Sequence, residues 1–124
     1  MPYIKCMGGT PPTNTLHTFQ MRKIERQMNT AIQRAINWSS ANTRVEAVVG
    51  ASRIYLHGNL IAEVGDDYMQ IFDGGWQTTT TKSRLNALFS EFCNPGEGVF
   101  QKAYQWFVRV NGEIVPFESG MILR

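Results

Sequence analysis

TRVEAVVGASRIYLHGNLIAEVGDDYMQIF, residues 43–72, is the stretch that decides the fold. From Thr43 to Val49, the residues Val45, Ala47 and Val49 alternate with Arg44, Glu46 and Val48, the two-residue period of a strand with one buried face. Gly50-Ala51 turns the chain, and Ser52–His57 reads as the next strand. Gly58-Asn59 supplies the positive φ of a hairpin turn and Leu60–Val64 its return strand; Gly65-Asp66-Asp67 then leads to a fourth run, Tyr68–Phe72. Strands joined by turns this short pair antiparallel, so an antiparallel β-meander is expected.

Upstream, the period changes. Met21, Ile24, Met28, Ala31, Ala35 and Trp38 recur at steps of three and four, with Leu16, Ile32 and Ile36 widening the stripe. This predicts a long amphipathic helix over residues 15–38, with Arg22, Arg26, Asn29 and Gln33 on its solvated side. Such spacing is also that of a helix packed on another helix, so a symmetric partner is one expectation; lying across the sheet is the other. Residues 1–14, with Gly8, Gly9, Pro11 and Pro12, read as an extended arm, and Thr13, Asn14 or Thr15 can cap the helix.

Downstream, Gly74-Gly75-Trp76-Gln77 and four threonines feed a second, shorter helix over residues 80–93 with Leu85, Leu88, Phe89 and Phe92 inward, stopped by Asn94-Pro95-Gly96. Strand formers follow over Val99–Val110, interrupted near Lys102-Ala103. Asn111-Gly112 then joins Trp106–Val110 to Glu113–Phe117 in a C-terminal β-hairpin, before a short apolar end at Met121–Leu123. The expected fold is α+β: one domain over 1–124, with the long helix first and an antiparallel sheet over 43–117 carrying the second helix.

A chain of 124 residues, 43% hydrophobic, suffices for one core, and a net charge of +2 is too mild to bind nucleic acid through phosphates alone. No run approaches the ~20 apolar residues of a membrane span, so a soluble, cytosolic protein is expected. Cys6 and Cys93 lack metal-type spacing and read as two free thiols in a reducing compartment.

Catalysis finds little support. His17 and His57 are far apart, no nucleophile motif is present, and Asp66, Asp67 and Asp73 fall in turns, where carboxylates serve the backbone. No metal spacing or cofactor motif stands out, and the glycines before Trp76 do not form a phosphate loop. Binding without turnover is therefore expected. The start of the second helix offers free N–H groups, and Thr80, Thr81, Lys82 and Arg84 add hydroxyls and cations there. At 100° per residue, however, Lys82 and Asn86 share one flank and Arg84 lies on the other. One small ligand reaches all three only near the helix start or between subunits. Trp76 reads either as a core anchor or as a stacking platform for a base.

The segments 52–62 (SRIYLHGNLIA) and 75–88 (GWQTTTTKSRLNAL), with Phe100-Gln101-Lys102 and Trp106-Phe107-Val108, resemble the phage-encoded Thoeris anti-defence proteins of the first type. Members of that family bind cyclic ADP-ribose isomers made by bacterial TIR-domain enzymes and withhold them from the downstream effector. The resemblance implies Arg53 as a phosphate ligand, Trp76 as the base-stacking ring, Asn86 as a polar contact, and Arg26 and Lys102 as further phosphate contacts. It also implies a homodimer or a higher homo-oligomer such as a hexamer, a possible second site for cyclic oligonucleotides, and action in the cytoplasm of the infected host. A cyclic ADP-ribose would engage arginines through its pyrophosphate and an aromatic face through its adenine. The competing expectation is a small module binding nucleic acid or a host protein through the basic helix start and exposed aromatics.

Overall fold

A computed structural model describes residues 21–123. In chain order these form α1 (Lys23–Arg34), β1 (Trp38–Ser40), β2 (Thr43–Val48), β3 (Ala51–Leu56), β4 (Asn59–Gly65), β5 (Met69–Ile71), α2 (Thr79–Phe92), β6 (Gly98–Lys102), β7 (Gln105–Val110), β8 (Glu113–Pro116) and β9 (Met121–Leu123). The described chain is mostly β, with two antiparallel sheets and two helices, which corrects the expected α+β fold led by a long helix.

The correction has a local cause at each end of α1. Arg22 has extended backbone (φ −75°, ψ 159°), and the Glu25 carboxylate reaches back to accept its N–H at 3.0 Å, so α1 begins at Lys23. At the other end Ala35 turns left-handed (φ 55°, ψ 48°), its N–H and that of Ile36 closing onto the carbonyls of Ile32 and Ala31. The chain then extends, and Trp38 pairs with Val45 as part of β1. A three-residue step from Ala35 to Trp38 suits a helix, but the sheet buries Trp38 as effectively. The helix is 12 residues long. Residues 15–20, the arm at 1–14 and the proposed caps lie outside the described residues.

Six strands form the larger sheet in the order β1-β2-β3-β4-β5-β9, and three form the smaller in the order β6-β7-β8. Val45, Ile54, Leu56, Val64, Met69, Ile71 and Leu123 point to the covered face of the larger sheet, each at most 4% exposed. A bulge breaks the alternation: Ile54 pairs with Ala62 and Tyr55 with Leu60, so Ile61 is the extra residue, and it and Ala62 are both buried. Helix α1 lies on β1 and β2, α2 on β4 and β6, and the helices touch each other. β9 returns the end of the chain to the first sheet, where Leu123 pairs with Met69 and covers the β5 edge.

The outer face of the large sheet is polar. The Arg44 guanidinium lies 4.1 Å from the Tyr55 ring centroid, Tyr55 donates to Glu46 at 3.1 Å, and Arg53 pairs with Glu63. In the smaller sheet Val99, Trp106 and Val108 face inward and join the same hydrophobic cluster as the larger sheet, with Trp106 edge-on to Phe117 at 5.3 Å. Cys93, at the end of α2, is buried and disulfide-bonded, contrary to the expectation of free thiols; disulfide formation depends on Cα proximity in the fold, which sequence spacing does not report. Cys6 lies outside the described residues. No helix among those described is long and apolar enough to cross a membrane.

Candidate functional site

The residues singled out from the sequence separate into six places. Arg84 turns inward and is 3% exposed. Its Nη1 donates to Glu25 Oε2 at 2.8 Å, its Nε to Thr43 Oγ1 at 3.0 Å and its Nη2 to Asn42 Oδ1 at 3.2 Å, while Ser83 Oγ donates to the same Glu25 oxygen at 2.6 Å. This network ties α1 and α2 to β2. A desolvated ion pair persists only when its remaining donors and acceptors are matched, and this one is matched. Arg84 is thus bound by the fold.

Asn86 is also engaged internally. Its amide donates to the Val99 carbonyl at 2.9 Å and accepts the Val99 N–H at 2.7 Å, so α2 supplies a side chain that mimics a neighbouring strand along β6. Gly98 makes room for it: a Cβ there would come within 2.4 Å of Asn86 Oδ1. Arg53 lies on the outer face of the large sheet, its Nε 3.0 Å from Glu63 Oε1, and Glu63 accepts as well from the Tyr68 hydroxyl. Hydrogen bonding to Tyr68, then to Arg53, holds the Glu63 carboxyl below the usual range, while the same contact pushes the Tyr68 phenol up to about 12. The Arg53 guanidinium is shifted up by the Glu63 hydrogen bond. Arg26 donates to the Met21 carbonyl at 2.9 Å and lines an open groove of about 480 Å³ with Ile36 and Trp38. Lys102 is exposed at the end of β6.

Trp76 is the residue of this set that stands free at a cleft. It is 71% exposed and borders a recess of about 300 Å³ with His57, Asn59, Asp73, Thr78 and Thr81. Local sequence explains the placement. Gly74 and Gly75 have φ of +69° and +91°, and the Asp73 carbonyl accepts the Trp76 N–H at 3.2 Å, so the chain reverses just after β5 and lifts the indole out. Thr78 caps α2, its Oγ1 accepting from Thr81 N at 3.1 Å, and the Thr78 and Thr81 hydroxyls lie 3.0 Å apart at the cleft wall. Thr80 stands one residue away, half-buried, and Lys82 closes the first turn onto the Thr78 carbonyl at 3.0 Å.

His57 and Asn59 complete the other wall. His57 and Gly58 (φ +52° and +80°) form the two-residue turn between β3 and β4, one residue earlier than the sequence places it. Asp73 accepts from Gly75 N at 2.9 Å, Ser119 Oγ at 3.3 Å and Gln77 Nε2 at 3.4 Å, and it braces the loop that carries Trp76. Sequence reasoning set His57 aside as a catalytic residue and read Asn59 only as part of the hairpin turn. The Gly58 turn signal that sets both residues was visible. Among the described residues, no group of His, Cys, Asp and Glu stands together as a metal site.

Residues 21–124 match the family described as Kyanoviridae Gp96 protein. The chain belongs to that family, and it is a phage protein. The match takes in the recess, both helices and both sheets. No curated protein and no solved structure matches the chain.

Proposed function

We propose that this member of the Kyanoviridae Gp96 family binds a cyclic ADP-ribose-type signalling nucleotide of the infected bacterium without turning it over, and so blunts a TIR-dependent defence. The observation that supports the reading best is Trp76, an indole held out of the core at the edge of a recess whose walls carry an amide, an imidazole and two hydroxyls. An adenine stacks on such a ring, and Asn59, Thr78 and Thr81 suit its edge and the ribose hydroxyls. The carboxylate of the recess, Asp73, is already satisfied by three donors of its own loop, which favours binding over base catalysis.

At about 300 Å³ the recess is at the small end of the ~300–1,000 Å³ typical of small-molecule sites, and among the described residues no arginine lines it. A second copy of the chain that closes over the ligand and brings Arg53, Arg26 or Lys102 to the pyrophosphate accounts for both facts, in line with the homo-oligomer that the resemblance implies.

Calorimetry with cyclic ADP-ribose isomers, with native mass spectrometry for subunit count, tests the reading. Heat-denatured complex should return the nucleotide intact, and Trp76→Ala should weaken binding by about 1–3 kcal/mol. A cleaved nucleotide in the supernatant would replace sequestration with catalysis. No heat with any isomer would remove the ligand class.

A further inference from the structure

The smaller sheet has an outward face that the Trp76 recess does not use. Strand alternation puts Phe100 and Lys102 of β6, Phe107 and Arg109 of β7 and Ile114 of β8 on that face, opposite the inward Val99, Trp106 and Val108. Phe100 and Phe107 pair across the strands with centroids 5.8 Å apart and planes 26° from parallel. They belong neither to the hydrophobic cluster nor to the partly buried residues packed on it. The Arg109 guanidinium sits 5.4 Å from the Phe100 centroid. No acidic residue occupies a position of this face on any of the three strands. Glu113 pairs with Val110 on the opposite face, and Glu97, before β6, is held by the backbone N–H groups of Asn94 and Asn111.

The turn at the end of this sheet adds an independent observation. Ala103 and Tyr104 make the two-residue link between β6 and β7 with φ of +53° and +65°. Side-chain-bearing residues adopt that region at a cost, and the next hairpin of the same sheet uses Asn111-Gly112 instead. Tyr104 is 96% exposed, so the fold gains no packing from a tyrosine there. Strain kept without a packing return points to the displayed ring itself.

We infer that this face binds single-stranded nucleic acid. Stacked rings on adjacent strands, a further ring at the sheet end, two cations and no carboxylate match a partner that offers planar faces joined by phosphates. A duplex hides its base faces, and an acidic peptide would use the cations but not the rings. The site is distinct from the Trp76 recess, and its rings and Arg109 stand whichever cation a second copy brings to that recess.

Fluorescence anisotropy of the full chain with labelled oligothymidylate and oligouridylate of about 12 nucleotides tests the inference. Affinity should fall with salt at a log–log slope of about −1.4, from two cations at about 0.7 each, and Arg109→Ala should reduce the slope to about −0.7. Tyr104→Ala, at a fully exposed position, and Phe107→Leu should each weaken binding about fivefold or more, while Trp76→Ala leaves it unchanged. The inference is overturned by any of three results: no binding at low salt, equal or tighter binding of a duplex, or affinity indifferent to both Tyr104→Ala and Arg109→Ala. A chain that dimerises in sedimentation, becomes monomeric as Phe107→Leu and ignores oligonucleotides would instead assign the face to a second copy.

Discussion

Arg84 shows how far a residue's role depends on its neighbours. Its position in the first turns of α2, after four threonines and a lysine, reads as part of an anion site, yet its side chain is spent on Glu25, Thr43 and Asn42. Removing one partner of a desolvated pair leaves the other charge buried and unmatched. Arg84→Met should therefore cost about 3–5 kcal/mol in urea unfolding, and adding Glu25→Gln should restore part of the loss. Equal stability of wild type and Arg84→Met would show that the network contributes nothing.

Tyr68 gives a prediction in pH. Its folded pKa is raised to about 12 from an ordinary value near 10, so its contribution to stability is complete below the unfolded value and is lost as pH rises from about 10 through about 12. Glu63 behaves oppositely: its pKa is lowered, so its contribution is present above the ordinary carboxylate value and disappears as pH falls through the folded one. Tyr68→Phe should abolish the Tyr68 share of the alkaline loss and weaken the acid-side effect at Glu63. Thermal melts across the two windows check this, and an unchanged alkaline limb in Tyr68→Phe would refute it.

At the scale of elements, α1 is where sequence periodicity overreached. The stripe through Met28 and Ala31 is real, but Glu25 and Asn29, on or beside the side read as polar, are 0% and 2% exposed. Glu25 is drawn inward by Arg84, and Asn29 donates to the Ala87 carbonyl at 3.2 Å. Periodicity sees apolar residues only and cannot register a polar residue whose partner comes from another helix. Ala35, counted among the apolar positions of the helix, ends it in a left-handed conformation. Ala35→Gly should relieve that strain by about 0.5–1 kcal/mol and raise the melting temperature by about 2–5 °C. A lower melting temperature would mean that Ala35 does not end the helix. The turns fared better, because glycine and asparagine carry the positive φ that a two-residue hairpin requires: Asn111-Gly112 sits between β7 and β8 where expected, and the β3–β4 turn is displaced by one residue.

At the scale of the whole molecule, the candidate ligand residues point in different directions. Trp76 and Thr81 border one recess, Arg53 occupies the outer face of the large sheet, Arg26 a groove beside α1, and Lys102 the smaller sheet. If a nucleotide takes several of them at once, a second copy must supply some, which is why subunit count belongs in the same experiment as affinity. The nucleic-acid face lies on the smaller sheet and shares Lys102 alone with these candidates, so substitutions at Trp76 and at Phe107 should act independently on the two ligands.

The sequence by itself determined the strand stretches of residues 43–72, the turn chemistry and the threonine start and Asn94-Pro95-Gly96 stop of α2, because each is written in near-neighbour residues. Only the tertiary structure decided the rest. β1 and β9 are three-residue strands whose partners lie on other segments, Trp38 with Val45 and Leu123 with Met69, and no local period marks them. Arg84 and Asn86 are inward because Glu25 and the Val99 peptide wait there from other elements. Trp76, 71% exposed, stands clear because no element among the described residues comes down to cover it. Local sequence sets what a residue can do; which group meets it is set by chain segments far away in sequence, and no spacing along the chain encodes that.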